Sequence, residues 1–495
     1  MEPIPLTWAA ETLGAEILGA PDGVAQSVCT DTRQGAHGAL FFALPGERAD
    51  GHDYVLPAFA AGAAGAVVSR PVPGASGPLL IVPDPLRALG DLAAHYRRCF
   101  PIPVVGVTGS VGKTSTKEMI AAILRTKAPT LVSAKNFNTE IGVPLALFQL
   151  GPEHGAAVLE MGMRGPGQIA RLAEIAQPDI AVITNIGYAH IELLGSQQNI
   201  AAAKAEILAY LPEGGVAVLP GSPAGPIDGT RGANGCRLAL SASPMDEDFS
   251  AFLRGCVPAG RRVLTFGVGG DAALDVRAYS VQEMSDGSRQ AHVVVGGEAT
   301  ILSLRAIGYH HLKNAVAALA VGHALGVPLA QAIGALESWK GAEGRMAIIR
   351  TSDGLTLLDD CYNAGPESME AALITLFEMT GGGGVAVLGD MRELGDFAPK
   401  AHRFVGRKVL DADVRLLVTV GELAEEIGRE VTRQAAQPGI KCPAIRRFAS
   451  SEEAAAAIGG LVAPGDTVLV KGSRAMQMEK IVAALTHEQG AYCHA

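Results

Sequence analysis

Apolar residues in this chain fall into short runs whose spacing changes along its length. From residue 1 to about 101, compact apolar runs (Leu40–Leu44, Ala66–Ser69, Leu79–Val82) predict strands, and Ala-rich stretches (Val55–Ala64, Pro85–Cys99) predict helices. Phe100-Pro-Ile-Pro103 reads as a linker, because each proline turns the residue before it away from helix. From Val104 the pattern alternates. Val104–Val107, Ala156–Glu160 and Ile180–Thr184 predict buried strands, and Ser115–Lys127, Ile141–Leu150, Gln168–Ala176 and Ile200–Ala209 predict helices. Such alternation implies a parallel sheet covered on both faces. Residues 221–255 are irregular. Residues 261–305 alternate apolar and polar positions (Val263-Leu-Thr-Phe266, His292–Val295), the pattern of antiparallel strands, and a helix follows over His311–Leu325. A further βα series begins near residue 343, with strands at Thr356–Asp359, Val385–Leu388, Leu416–Val420 and Thr467–Val470.

Composition narrows the class. The 495 residues correspond to about three domains at roughly 150 residues each. With 48% apolar and 18% charged residues, the chain can build cores and is not a disordered one. A net charge of −10 with no basic stripe argues against a nucleic-acid partner. No basic segment followed by an apolar run opens the chain, and every apolar run is interrupted before about 18 residues, so neither a signal peptide nor a transmembrane segment is expected. The seven cysteines are odd in number and never form CxxC, which fits a reducing cytoplasm better than a disulfide framework or zinc site. Nothing marks an obligate interface, so a cytoplasmic monomer is expected.

The strongest local signal is Val104-Val-Gly-Val-Thr-Gly-Ser-Val-Gly-Lys-Thr114, a TGxxGKT form between a strand and a helix. Backbone N–H groups in such a loop cradle phosphates, which makes Thr108, Gly109, Ser110, Val111, Gly112, Lys113, Thr114 and Ser115 candidates for ATP binding. Lys113 would neutralise phosphate charge and Thr114 could ligate Mg²⁺. The chain thus reads as an α/β protein of three domains. These are a small mixed α/β N-terminal domain (1–101), a central P-loop ATPase-like parallel sheet with an antiparallel addition (102–341), and a C-terminal Rossmann-like domain (342–495). The last lacks G-x-G-x-x-G after its first strand, which argues against dinucleotide binding.

Further motifs lie in order along the chain: Asn136-Phe-Asn-Thr-Glu-Ile-Gly-Val-Pro144, Glu160-Met-Gly162, Thr184-Asn-Ile-Gly-Tyr-Ala-His190, Lys204-Ala-Glu206, Gly308-Tyr-His-His-Leu-Lys-Asn314, Gly344-Arg345, Asp359-Asp-Cys-Tyr-Asn-Ala-Gly-Pro366, Leu388-Gly-Asp-Met-Arg-Glu-Leu-Gly395 and Lys471-Gly-Ser-Arg474. Together with Asp31-Thr-Arg33 and Asp50-Gly-His52, they resemble the Mur ligase family across nearly the whole chain. The DDxYNxxP-like and GDMxELG elements are most similar to the member that joins D-alanyl-D-alanine to UDP-N-acetylmuramoyl-tripeptide. The resemblance implies an ATP-dependent carboxylate–amine ligase: ATP phosphorylates the tripeptide carboxylate, and the dipeptide amine attacks the acyl phosphate, releasing ADP and phosphate.

It also implies residue roles. Lys113, Glu160, His190, Lys204 and Arg345 would be catalytic. Thr114, Glu160, His190 and a carbamylated Lys204 would hold Mg²⁺, and Asn314, Arg345 and Asp360 would join the ATP site. Arg345 and Asp360 belong to the third βα series, so domain closure is expected to assemble the site. Thr32 and Arg33 are candidates for the uridine diphosphate, Arg33 offering a forked donor suited to phosphate. Asn136, Asn138 and Thr139 would line the sugar-peptide, and Tyr362 and Asn363 the incoming dipeptide. The sequence departs from the family pattern at His311 (usually Asn), Cys361 (usually Ser) and Gly365 (usually Asn). Two alternatives are the preceding ligase, which adds the third amino acid, and a non-ligase P-loop ATPase. The absence of a DNPR element opposes the first, and the presence of Lys204, His190 and Arg345 together opposes the second.

Overall fold

The computed structural model describes residues 1–46, 49–134, 137–222, 247–269, 271–284, 288–305, 308–341 and 344–486. Its buried apolar runs form three main sheets. The first has five strands in the order Glu16–Leu18, Leu79–Ile81, Gly65–Val68, Ala39–Phe42, Ser27–Cys29, all parallel except the first. The helix Pro85–Arg98 follows it. Asp84 accepts from the backbone of Leu86 and Arg87, and Pro85 occupies the first turn, where its missing N–H costs nothing. This helix packs on Gly142–Leu147 and Gln168–Ala176. Tyr96 donates to the Leu150 carbonyl at 2.7 Å, and Arg97 pairs with Asp179 at 3.0 Å. One apolar cluster therefore runs from Ile4 through Leu92 to Leu253.

The second sheet has nine strands, in the order Glu298–Leu304, Arg289–Val295, Val276–Glu283, Arg262–Val268, Val216–Pro220, Ile180–Ile183, Val104–Thr108, Ala156–Glu160, Thr130–Val132. The structure corrects the reading of 261–305 as wholly antiparallel. Arg262–Val268 lies parallel to both its neighbours, and only the last three strands pair antiparallel. Alternation reports that one face is wetter than the other; it carries no information about partner direction. The buried helix Tyr309–Ala324 covers this face of the sheet together with Lys113–Leu124. The expected helix Ile200–Ala209 is an α-helix over Gln197–Ala205 and a 3₁₀ turn over Glu206–Tyr210.

The third sheet has six strands, in the order Ala347–Arg350, Thr356–Asp359, Thr467–Lys471, Val385–Gly389, Leu416–Val420, Ala444–Phe448, parallel except for the first. Among the described residues no helix is long and apolar enough to cross a membrane, and Cys29, Cys99, Cys256, Cys361 and Cys442 are free thiols. Thr108, Glu160 and Thr184 stand at or just beyond the carboxyl ends of adjacent parallel strands, where open α/β sheets bind ligands.

Candidate active site

The loop after Val104–Thr108 is shaped by glycine. Gly109 has φ +148, and a Cβ there would sit 1.9 Å from the Thr184 hydroxyl; at Gly112 (φ +83) it would sit 2.5 Å from Asn314 Oδ1. Neither position tolerates a side chain. The N–H groups of Ser110 and Val111 donate to Asn185 Oδ1 at 3.1 and 2.8 Å, and the Thr184 hydroxyl donates to the Val111 carbonyl at 2.6 Å. Thr108 and Ser115 are buried on either side of the turn. Lys113 folds back to donate to the carbonyls of Gly109 (2.8 Å) and Ser110 (3.3 Å). Burial lowers its pKa and the Glu160 carboxylate opposes that, while Arg345 adds to the lowering. A cation in this state gains from an arriving phosphate.

Glu160 is buried at the end of its strand. Its oxygens accept from the Thr114 hydroxyl at 2.8 Å and the Asn138 amide at 3.0 Å. Burial alone would raise its carboxyl, but the Lys113 charge and these two hydrogen bonds hold it below the ordinary carboxylate range. Arg345 completes the cluster. It donates to Thr114 Oγ1 at 3.3 Å and stacks on the Tyr362 ring at 4.1 Å. One hydroxyl thus joins the central sheet to a residue just ahead of the six-stranded sheet.

The other predicted residues are distributed around this core. Lys204 is buried, and desolvation, with Lys113 second, drives its pKa well below the usual lysine value, favouring the neutral amine. His190 has a left-handed backbone (φ +66), and its Nδ1 lies 2.6 Å from Glu393 Oε2. Asp360 is paired with the buried Lys471 at 2.6 Å, and Lys471 also donates to the Asn363 carbonyl at 2.9 Å. Asn314 packs on Gly112 with its buried Nδ2 unpartnered among the described residues; so are Nδ1 of His310 and of His311. Burial keeps both imidazoles neutral, taking His310 to about 3. Among the described residues, no group of three or more His, Cys, Asp or Glu converges on one point.

The substrate-side expectations fare unevenly. Asn138 is engaged by Glu160, and Thr139 serves the backbone, accepting from Gly142 N at 3.2 Å. Asn136 lies outside the described residues. Thr32 and Arg33 form an exposed 3₁₀ turn capped by Asp31, and Asp31 also takes the Arg33 guanidinium at 2.7 Å. Asn185 carries no role in the sequence motif, although its place just past a strand end was a usable signal. Lys117 gave no signal in the sequence; it is fully buried with Nζ on the Ser133 carbonyl at 2.6 Å, while the Ser133 hydroxyl accepts from Glu160 N at 3.0 Å.

Family models match three stretches: "Mur ligase family, catalytic domain" over residues 25–97, "Mur ligase middle domain" over 107–226, and "Mur ligase, glutamate ligase domain" over 344–474. The chain is similar to the UDP-N-acetylmuramoyl-tripeptide–D-alanyl-D-alanine ligases of Synechocystis (36% identical, covering 93% of this chain and 92% of that one) and Escherichia coli (36%, covering 97% and 98%). Among solved structures it resembles MurF from Acinetobacter baumannii, with TM-score 0.86 and 31% identity over 99% of this chain and 100% of that one. It also resembles MurF ligase from Thermotoga maritima in complex with ADP, with TM-score 0.77 and 28% identity over 94% and 98%.

Proposed function

The chain belongs to the Mur ligase family, and on that premise we propose that it is an ATP-dependent amide ligase joining D-alanyl-D-alanine to UDP-N-acetylmuramoyl-tripeptide in peptidoglycan precursor synthesis. The observation that carries this reading is the Thr114 hydroxyl held between Glu160 and Arg345. A guanidinium that reaches the phosphate loop from the segment ahead of the six-stranded sheet is suited to a reaction that brings a carboxylate up to a triphosphate.

Two anions repel as they approach, and cations fixed in advance remove that repulsion without reorganising water. Lys113 and Arg345 supply them. The neutral Lys204 amine is the form that adds CO₂, and the resulting carbamate would be an oxygen ligand. Thr114 and the ionised Glu160 are oxygen donors suited to Mg²⁺, which when bound would offset phosphate charge. The Asn314 amide beside Gly112, its Nδ2 unpartnered among the described residues, supports a place for the adenine. In this reading residues 1–101 take the UDP-sugar through Thr32 and Arg33, residues 102–341 take ATP, and residues 342–495 take the dipeptide through Tyr362 and Asn363. His190 would join a second metal site, Asp360, paired with Lys471, would reach the ATP from the third domain, and the protein works as a single chain in the cytoplasm.

Phosphate release tests the reaction. Purified protein with UDP-muramoyl-tripeptide, ATP and Mg²⁺ is expected to release phosphate only when D-alanyl-D-alanine is added. Release without the dipeptide, or in response to a single amino acid, overturns the assignment.

A further inference from the structure

The turn Asn185–Tyr188 has a neighbour on each side. Toward the phosphate loop, Asn185 Oδ1 accepts from Ser110 N and Val111 N, and Gly187 N donates to the buried Ser110 hydroxyl at 2.9 Å. On the other side stands Glu367, in the first turn of the helix Pro366–Thr380 that follows the strand Thr356–Asp359 of the six-stranded sheet. Tyr188 N donates to Glu367 Oε1 at 2.7 Å. The fit is close: a Cβ on Gly187 would lie 2.3 Å from Glu367 Oε1 and 3.3 Å from Ser110 Cβ. The Tyr188 ring stacks on Phe397 at 4.5 Å and 6°, a second contact from the region of the same sheet.

We propose that Glu367 is a positioning residue for the phosphate loop. Its carboxylate fixes the Tyr188 end of the turn, and through Gly187 and Asn185 it holds Ser110 and Val111 in the shape that receives phosphate. The helix N-terminus favours the carboxylate at that point, since unsatisfied N–H groups there carry partial positive charge. The consequence is directional. The loop is held in its binding shape when the helix Pro366–Thr380 is docked, and it loses one of its supports when that helix swings away. Glu367 meets the Tyr188 backbone and acts through the turn. The inference rests on the reading of this loop as the ATP site.

The test separates the two. ADP affinity of the full chain, measured by calorimetry, reads the loop without requiring turnover, whereas the ligase reading stands or falls on dipeptide-dependent phosphate release. Glu367→Ala is expected to weaken ADP and raise the KM for ATP about tenfold, with the KM for the dipeptide within about twofold of the parent, because a charge-assisted hydrogen bond has been lost from one substrate's site only. Glu367→Gln keeps the shape and an acceptor oxygen, so it is expected to fold and to recover most of that loss, to within about threefold of the parent. Ser110→Ala combined with Glu367→Ala is expected to cost little more than the worse single change, since both interrupt the same connection. Unchanged ADP affinity in Glu367→Ala, equal losses for both substrates, or full additivity with Ser110→Ala would each overturn the proposal.

Discussion

A lysine without a counter-charge is expensive to bury, and Lys204 is only 2% exposed. The unfolded chain keeps its proton up to the ordinary pKa of 10.5, whereas the folded amine gives it up at a much lower pH. Folding between those limits releases a proton, so stability rises with pH across that window and Lys204 is a net cost at neutral pH. Lys204→Met is therefore expected to raise the melting temperature at pH 7 in bicarbonate-free buffer, with a gain that shrinks toward pH 10. Turnover is expected to fall by about a hundredfold or more if the amine is the precursor of a metal ligand. Thermal melts at the two pH values, with phosphate release measured alongside, check both arms; a drop in melting temperature at pH 7 would show that the charge is compensated in the fold.

At the scale of elements, the helices Ala398–Asp411 and Glu425–Ala435 are joined through two carboxylates, Glu426, which pairs with Arg403 at 3.2 Å, and the more buried Glu430. Glu430 accepts from Arg433 at 2.8 and 2.7 Å, from Gln434 at 2.9 Å and from Arg407 on the neighbouring helix at 3.3 Å. The Arg433 hydrogen bonds lead in lowering its pKa from 4.5 to about 2. A depressed carboxyl stabilises above its unfolded pKa, and that contribution is lost as pH falls from 4.5 through about 2. Glu430→Gln should lower the thermal midpoint clearly at pH 7, less at pH 3, and hardly at pH 2; a constant difference across that range refutes the linkage. The elements also show what a sequence can reveal. The strand Ala156–Glu160 and the helix Gln168–Ala176 were legible to the residue, because fully buried strands and amphipathic helices write themselves as patterns. The edge strands Ala347–Arg350 and Ala444–Phe448 were not, since about half their residues face solvent, with Arg350, Arg446 and Arg447 among them, and none is fully buried. Within the site, Lys113, Thr114 and Glu160 were legible because the chemistry fixes their type and spacing. Glu367 was illegible because a carboxylate just after a proline at a helix start reads as an ordinary first-turn residue.

Across the whole molecule, a protein of net charge −10 handles anions by placing few cations well, and the same economy holds its sheets together. Arg289, on the antiparallel extension of the nine-stranded sheet, pairs with Glu378 on the helix Pro366–Thr380, and both are buried from solvent or nearly so. Glu367 and Glu378 thus anchor the two ends of one helix to the central sheet and its surroundings, one through the Tyr188 backbone and the other through a guanidinium. A buried ion pair contributes little net stability compared with an apolar pair, but removing one partner strands the other. Glu378→Ala leaves the Arg289 guanidinium buried without its carboxylate and is expected to destabilise the docked arrangement by about 3–5 kcal/mol. Replacing the pair together, Arg289→Met with Glu378→Leu, is expected to be close to neutral because no charge remains to be desolvated. Thermal unfolding ranks the variants, and solution scattering reads the arrangement directly. Glu378→Ala should expand the molecule in the absence of nucleotide, and ATP with UDP-muramoyl-tripeptide should draw it back by restoring contacts such as Arg345 to Thr114. If the single and double variants are equally unstable, or if the single variant scatters like the parent, the helix is held by apolar packing and the charges at its ends are incidental to closure.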